Sequence, residues 1–212
     1  MRHLVLVRHG ESELNAINRQ KRVFCGQFET PLTPRGREQA MEAAERLLEL
    51  DYLKLQVAIS SPLQRAKETL QVILSRLSAG IDHLPPSPGL MERSHGVFEG
   101  KAEAEAFLEH PAYRDDPKFN CFMNHFHQHA PGGESLAVVT DRVWSVIARL
   151  VESEGGDAVI VSHYNPIRCV VGRAVGMTEA EILRLRVPNA VPIVLRWNSG
   201  FELLEWPAMT DG

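Results

Sequence analysis

Two arginines and two histidines stand where their side chains could bind and transfer a phosphate group. Arg8 and His9 directly follow the apolar run 4–7, Arg65 lies shortly after the apolar run 55–59, and His163 follows the run 158–161. Guanidinium groups match phosphate oxygens in bidentate geometry, and a neutral imidazole nitrogen is a nucleophile. These residue types can stabilise phosphoryl transfer without a metal, so we predict a small-molecule phosphate ester as the ligand.

The surrounding pattern predicts elements that would bring these four residues together. Three short apolar runs each pass into a polar loop and then into a helical pattern, which indicates an α/β domain. Ligands of open α/β sheets bind beyond the carboxyl ends of the strands. We therefore predict a three-layer α/β/α domain with a mostly parallel sheet and the site at one sheet edge.

The remaining segments complete this prediction. Helices are expected from Thr33 to about residue 48, from Ser61 and Pro62 onward, from Ser135 to about 152, and from near Pro166. Residues 191–197 and 201–206 flank Asn-Ser-Gly and predict an antiparallel hairpin at the sheet edge. Residues 109–133 lack a clear period and are interpreted as a lid-like excursion from a single domain spanning 1–212.

Bulk composition narrows the possible partners. The chain has 212 residues, a formal net charge of −4 and three cysteines without CxxC spacing. This charge gives no long-range attraction to nucleic acid or anionic membranes, and the cysteines imply neither a disulfide framework nor a thiolate metal site. The run 4–7 is too short for a signal sequence or membrane span. A reducing, cytoplasmic location is expected, and a homodimer stays open.

Motifs in family order give the prediction a specific form. Residues 6–12 (LVRHGES) with Asn15 resemble the signature of the histidine phosphatase superfamily, the phosphoglycerate mutase-like family. Further matches follow in the same order: 30–36 (TPLTPRG), 60–69 (SSPLQRAKET), 92–100, 131–135 (PGGES) and 161–163 (VSH). Together they span nearly the whole chain, and each falls in a loop that the α/β pattern predicts.

The resemblance implies catalytic roles residue by residue. It implies that His9 takes the phosphoryl group as a phosphohistidine, while Arg8, Arg65 and His163 hold the oxygens and Asn15 contacts the phosphate. Arginines near His9 favour its neutral, nucleophilic form. No cofactor or metal is implied. For Asn15, a helix-end or turn role is the simpler alternative.

The proton donor to the leaving oxygen is assigned to Glu92, with Glu99 as the alternative in the same segment. The wider phosphate and substrate site is predicted to contain residues from three motifs: Ser12, Asn15, Cys25, Gly26, Tyr164 and Asn165.

Two departures favour a phosphatase over a mutase. Phosphoglycerate mutases resemble this chain around Phe24-Cys-Gly26 but have Thr in place of Cys25, and at His163-Tyr-Asn165 they have Gly in place of Tyr164. The form of 131–134 is also more typical of phosphatases. A cofactor-dependent phosphoglycerate mutase is the first alternative, and a phosphate-binding or regulatory module with little turnover is the second. Retention of His9 and Arg8 disfavours that module.

His125, His127 and His129 form an HxHxH run. In an extended strand the three imidazoles would share one face, as in some metal sites. No carboxylate or cysteine cluster accompanies the run, so a lid segment that contacts substrate is the preferred interpretation, and no metal is predicted.

Overall fold

A six-stranded mixed sheet forms the centre of the protein. The structure is a computed structural model that describes residues 2–77, 80–115, 122–153 and 156–206. The strands are β1 (Arg2–Arg8), β2 (Leu55–Ser60), β3 (Asp82–His83), β4 (Asp157–Ser162), β5 (Ile193–Trp197) and β6 (Phe201–Glu205). Their order is β3-β2-β4-β1-β5-β6. Strands β1 to β4 run parallel, whereas β5 and β6 pair antiparallel, so the predicted edge hairpin is confirmed.

The register of the central strands places their carboxyl ends side by side. Arg8 of β1 lies opposite Ser162 of β4, and Ser60 of β2 lies opposite Val161. The residues that follow these ends, His9, Ser61 and His163, therefore start from neighbouring positions. This edge is where ligands of parallel sheets bind.

Helices cover both faces of the sheet and give the predicted three layers. They are α1 (Glu13–Asn18), α2 (Pro34–Glu49), α3 (Gln64–Arg76), α4 (Glu103–Glu109), α5 (Ala112–Asp115), α6 (Leu136–Glu152), α7 (Tyr164–Ala174) and α8 (Glu179–Arg184). Val5 and Val7 of β1 pack with α2 and α3, whereas Leu4 and Leu6 pack with α6 and α7. Alternate strand residues point to opposite faces, which explains a strand apolar on both sides.

Two predicted helix starts are wrong. Helix α3 begins at Gln64, after an extended Leu63; the Ser61 hydroxyl accepts a bond from the Leu63 backbone N–H (3.3 Å) and also lies 2.8 Å from His163 Nε2. Helix α7 begins at Tyr164 rather than near Pro166, because the Glu92 carboxylate accepts a bond from the Asn165 backbone N–H in its first turn. Thr33 and Ser135 cap the starts of α2 and α6, since each accepts a bond from the third backbone N–H of its helix.

The excursion after β3 has a small core of its own. Phe24, Phe98, Ala106, Phe122 and Ala130 are buried together there, beneath α4 and the 3₁₀ turn at Phe122–Asn124. Part of the predicted lid, residues 116–121 with Phe119 and Cys121, lies outside the described residues. Within the described part of the chain, no helix is long and apolar enough to cross a membrane.

Candidate active site

A pocket of about 250 Å³ opens at the carboxyl ends of β1 and β2, beside the amino end of α7. It collects residues from seven separate stretches of the chain. Its lining residues are Arg8, His9, Asn15, Asn18, Arg22, Val23, Phe24, Cys25, Gly26, Arg65, Glu92, His95, Met123, Tyr164 and Asn165.

The His9 imidazole presents one nitrogen as an acceptor. Its Nδ1 lies 2.7 Å from the Gly10 carbonyl oxygen, and its Nε2 lies 3.2 Å from the Arg65 Nε–H. A carbonyl oxygen can only accept and a guanidinium can only donate, so the proton is on Nδ1 and the lone pair is on Nε2. Burial, with Arg65 and Arg8 nearby, lowers the pKa of His9 well below its usual value. The ring is therefore neutral at physiological pH.

Close backbone packing fixes the loop that carries His9. The Gly10 N–H donates to Thr69 Oγ1 (3.0 Å), and the Asn189 amide donates to the His9 carbonyl oxygen (2.8 Å). A Cβ on Gly10 would lie 2.1 Å from the Gly36 carbonyl oxygen, so a larger residue cannot fit without backbone movement. The glycines of the RHG and PRG motifs thus allow two loops to touch beneath the histidine.

Arg65 joins His9 to the loop on the opposite side of the pocket. Its Nη1 donates to the Phe28 carbonyl oxygen and its Nη2 to the Gly26 carbonyl oxygen, both at 2.8 Å. With Nε directed at His9, each of its three nitrogens has a partner, and the side chain is almost completely buried. All three partners are uncharged, so the positive charge of Arg65 is not neutralised by a direct contact.

Arg8 has donors left over for a ligand. Its Nη1 donates to the Val187 carbonyl oxygen (2.8 Å), while its buried Nε has no hydrogen-bond partner among the described residues. Burial lowers the pKa of Arg8. Because the ordinary pKa of an arginine is very high, the guanidinium stays charged.

His163 lies behind His9 and is not part of the pocket lining. The two ring centroids are 5.1 Å apart, and His163 Nε2 is 2.8 Å from Ser61 Oγ. Its Nδ1 is buried without a partner in the described part of the chain. Burial, followed by the charge of Arg65, lowers the pKa of His163 well below its usual value. Sequence reasoning placed this residue at the same sheet edge but did not predict its position behind His9.

Of the two candidate proton donors, Glu92 lines the pocket and Glu99 does not. Glu92 Oε1 accepts bonds from the backbone N–H groups of Arg93 (2.7 Å) and Asn165 (3.3 Å). Glu99 Oε1 instead accepts from Ser94 Oγ and the His95 backbone N–H, both at 2.9 Å. Glu99 thus holds the turn at 94–96, which favours Glu92 as the residue that reaches a substrate.

Ser12 and Asn15 form a reciprocal capping pair at the start of α1. The Asn15 N–H donates to Ser12 Oγ (3.3 Å), and Asn15 Oδ1 accepts from the Ser12 N–H (3.2 Å). Ser12 is buried and does not reach the pocket, whereas Asn15 lines it. Asn15 therefore has the helix-end role that was the simpler alternative, and it also lines the pocket. Capping uses its side-chain oxygen and leaves its amide nitrogen available to a ligand.

The other predicted site residues, Cys25, Gly26, Tyr164 and Asn165, all line the pocket. Burial raises the pKa of the Cys25 thiol, so a thiolate nucleophile is disfavoured at neutral pH. Gly26 adopts a left-handed φ of +46°, which turns its carbonyl oxygen to accept from Arg65.

The HxHxH run does not form a strand. Residues 125–130 are irregular; His127 Nε2 pairs with Glu179 Oε1 (2.8 Å), and His125 Nδ1 accepts the His127 backbone N–H (3.1 Å). In the ranges that the structure describes, no group of three metal-ligating side chains comes together. The extended strand that a shared histidine face would require is therefore not formed here, because the chain turns between the histidines.

Sequence reasoning missed several pocket residues, which lie at the end of α1 or in loops and turns. They are Asn18, Arg22, Val23, His95 and Met123. Among them, only His95 lies in a motif that the sequence analysis recognised, that of residues 92–100. The other four lie at positions where no motif or hydrophobic periodicity indicates a place in the pocket. Burial, with Arg93 nearby, lowers the pKa of His95 to about 3.

Fold, pocket and motif order agree with the comparison of the chain with known proteins. The chain belongs to the histidine phosphatase superfamily (branch 1), whose family profile matches residues 4–208. Among its relatives are proteins named 2,3-bisphosphoglycerate-dependent phosphoglycerate mutase. That of Bartonella henselae is 30% identical over 201 residues, and that of Brucella anthropi is 31% identical over 201 residues; each match covers 93% of both chains.

Similar solved structures include phosphatases. The alpha-ribazole phosphatase from Shigella flexneri superposes with a TM-score of 0.79 at 27% identity, covering 95% of this chain and 94% of that one. A mycobacterial glucosyl-3-phosphoglycerate phosphatase in complex with VO₃ gives a TM-score of 0.78 at 26% identity, covering 97% and 98%. The fold prediction is confirmed, and the named relatives include both mutases and phosphatases.

Proposed function

We propose that this protein is a phosphomonoester hydrolase that works through a phosphohistidine at His9. The observation that carries the proposal is the His9 Nε2 lone pair, which faces the pocket wall formed by Arg65 and lies beside Arg8. Both arginines bond only to uncharged protein groups in the described part of the chain. A phosphate dianion would supply the missing negative charge.

The proposed reaction has two steps. His9 Nε2 attacks phosphorus while the bond to the leaving oxygen breaks, and protonated Glu92 gives its proton to that oxygen. Glu92 then takes a proton from water, whose oxygen attacks the phosphohistidine and releases phosphate and neutral His9. Arg8 and Arg65, which both line the pocket, bind the phosphoryl oxygens, whose charge spreads in the transition state.

The apolar part of the pocket lining supports a phosphatase over a mutase. Val23, Phe24 and Met123 form an apolar surface there. Besides Arg8 and Arg65, the cationic side chain that lines this pocket in the described residues is Arg22, which pairs with Glu103 (2.7 Å). Phosphoglycerate would need a cation for its carboxylate, and this one is already paired. An uncharged organic leaving group suits such a surface better.

Phosphoglycerate mutase is the second candidate, favoured by the names of relatives at 30–31% identity over 93% of the chain. Both reactions use the same phosphohistidine and differ in its acceptor. Water completes a phosphatase cycle, whereas a hydroxyl of a phosphoglycerate completes a mutase cycle.

Paired assays separate these candidates. We expect p-nitrophenyl phosphate hydrolysis with EDTA present, and no flux from 3-phosphoglycerate with catalytic 2,3-bisphosphoglycerate. His9→Ala should abolish hydrolysis, whereas His127→Ala, which alters an exposed histidine outside the pocket, should not. Strong mutase flux would replace the phosphatase proposal. Unchanged hydrolysis by His9→Ala would refute the mechanism.

A further inference from the structure

Tyr164 lies between two guanidinium groups. The Arg8 Cζ is 5.3 Å from the Tyr164 ring centroid, and the Arg168 Cζ is 5.0 Å from the same centroid. We refer to Arg8, Tyr164 and Arg168 as the cation–ring stack. Aromatic faces carry negative charge density and attract guanidinium groups, most strongly where water is excluded.

The stack is tied to one short stretch of chain after α8. The Tyr164 hydroxyl donates to the Leu185 carbonyl oxygen (2.8 Å), and Arg8 Nη1 donates to the Val187 carbonyl oxygen (2.8 Å). The ring and the Arg8 guanidinium are thus fixed relative to the same backbone. This arrangement leaves the buried Arg8 Nε without a hydrogen-bond partner among the described residues.

Arg168 supports the other side of the Tyr164 ring and makes few other interactions. It is buried, its Nη1 bonds only weakly to the Leu183 carbonyl oxygen (3.3 Å), and its Nε has no partner in the described residues. It does not line the pocket. The contact with the Tyr164 ring therefore best explains why a charged side chain is buried at this position.

We propose that Tyr164 is a positioning residue that holds the Arg8 guanidinium in the orientation that binds a phosphoryl group, with Arg168 supporting the ring from behind. The proposal rests on the proposed function, in which Arg8 binds phosphoryl oxygens. A glycine, which the resemblance to mutases places here, would leave Arg8 held by the Val187 carbonyl oxygen alone.

The test measures both turnover and the affinity for inorganic phosphate by titration calorimetry. Removal of the ring in Tyr164→Leu should lower kcat/KM for p-nitrophenyl phosphate and weaken phosphate binding, each about tenfold, from the loss of a desolvated cation–π contact. Tyr164→Phe keeps the ring but loses the hydroxyl bond to the Leu185 carbonyl oxygen, so its loss should be smaller than that of Tyr164→Leu. Arg168→Met should show a smaller loss of the same kind.

A matched control uses a cation–π pair far from the pocket. The Arg173 Cζ lies 4.7 Å from the Trp144 ring centroid, and neither residue lines the pocket. Trp144→Leu removes a contact of the same type and should leave kcat/KM and phosphate affinity unchanged. Thermal unfolding of each variant checks that differences in activity do not follow differences in stability.

A double-mutant cycle with Arg8→Lys distinguishes positioning from general packing. If Tyr164 acts through Arg8, Tyr164→Leu should change phosphate affinity by less than about twofold in the Arg8→Lys background. A tenfold loss in both backgrounds would overturn the inference, as would wild-type phosphate affinity in Tyr164→Leu.

The binding cycle needs no turnover, so an enzyme that binds phosphate without hydrolysing esters would refute the proposed function while leaving this inference intact. If Tyr164→Leu fails to fold, the same cycle with Arg168→Met decides.

Discussion

Replacing Arg65 by lysine keeps a positive charge near His9 but removes the planar fork that binds three partners. The guanidinium bonds His9 Nε2 at 3.2 Å and the carbonyl oxygens of Gly26 and Phe28 at 2.8 Å. A lysine ammonium is a point charge on a flexible stem and cannot reproduce this geometry. The substitution therefore separates the effect of charge from the effect of shape.

Two losses are expected from Arg65→Lys. A missing donor to the transition state typically costs about 3 kcal/mol, so kcat/KM should fall about a hundredfold. Hydrogen bonds from a charged group to buried carbonyl oxygens contribute about 1.5–3 kcal/mol each, and lysine can replace one of the two. The free energy of unfolding should therefore fall by about 2 kcal/mol. Steady-state hydrolysis of p-nitrophenyl phosphate and urea unfolding measure the two effects.

Arg2→Lys is the matched control for Arg65→Lys. Arg2 is also buried and also donates to backbone carbonyl oxygens, those of Leu150 and Ser153, but it lies at the opposite end of β1. It should lose stability and keep its kcat/KM. An Arg65→Lys enzyme within threefold of wild type would refute the role of the fork. An equal loss of kcat/KM in Arg2→Lys would assign the effect to stability.

Three further outcomes are expected. Gly10→Ala places a Cβ against the Gly36 carbonyl oxygen and should cost at least about 2 kcal/mol of stability in urea unfolding, together with most of the activity. Burial lowers the pKa of His95 to about 3, so between pH 6.5 and 3 the unfolded chain binds a proton there that the folded protein does not. His95 alone should therefore lower the free energy of unfolding by about 1.4 kcal/mol per pH unit as pH drops below 6.5. His95→Leu should remove this contribution from the measured dependence on pH. An unchanged slope in His95→Leu would contradict this reasoning. Glu92→Gln should slow p-nitrophenyl phosphate hydrolysis about a hundredfold or more, whereas Glu99→Gln should act mainly on stability; the reverse ranking of kcat would reassign the proton donor.

The sheet could be predicted because each central strand is an apolar run that ends in a polar residue. Leu4 to Val7 are buried on both faces, and this makes the run continuous rather than alternating. Strand β3 could not be predicted, because Asp82 and His83 are exposed and form a strand only through pairing with Val57 and Ala58. Its existence depends on β2, which lies more than twenty residues away in the sequence.

The site could be predicted in its members but not in its geometry. The apolar runs predicted that Arg8, His9 and Arg65 would meet at one sheet edge, and the family resemblance added Glu92; all four line the pocket. Nothing in the sequence indicated that His163 lies beneath His9. Likewise, the partners of a buried arginine depend on which carbonyl oxygens the loops turn inward, and this is decided by tertiary packing.

The partners of Arg8 and Arg65 differ from those of an arginine in a structural ion pair. Arg142 is paired with the Glu134 carboxylate (2.7 Å), as expected of a structural ion pair, whereas Arg8 and Arg65 are held by carbonyl oxygens. A carboxylate in contact with either arginine would compete with phosphate for the guanidinium. Phosphate would then have to displace that carboxylate, at a cost in free energy. Carbonyl oxygens fix the direction of the guanidinium and leave its charge available. Burial and the same uncompensated charge lower the pKa of His9, so under the proposed mechanism one arrangement would both attract the phosphate dianion and keep the imidazole unprotonated for attack.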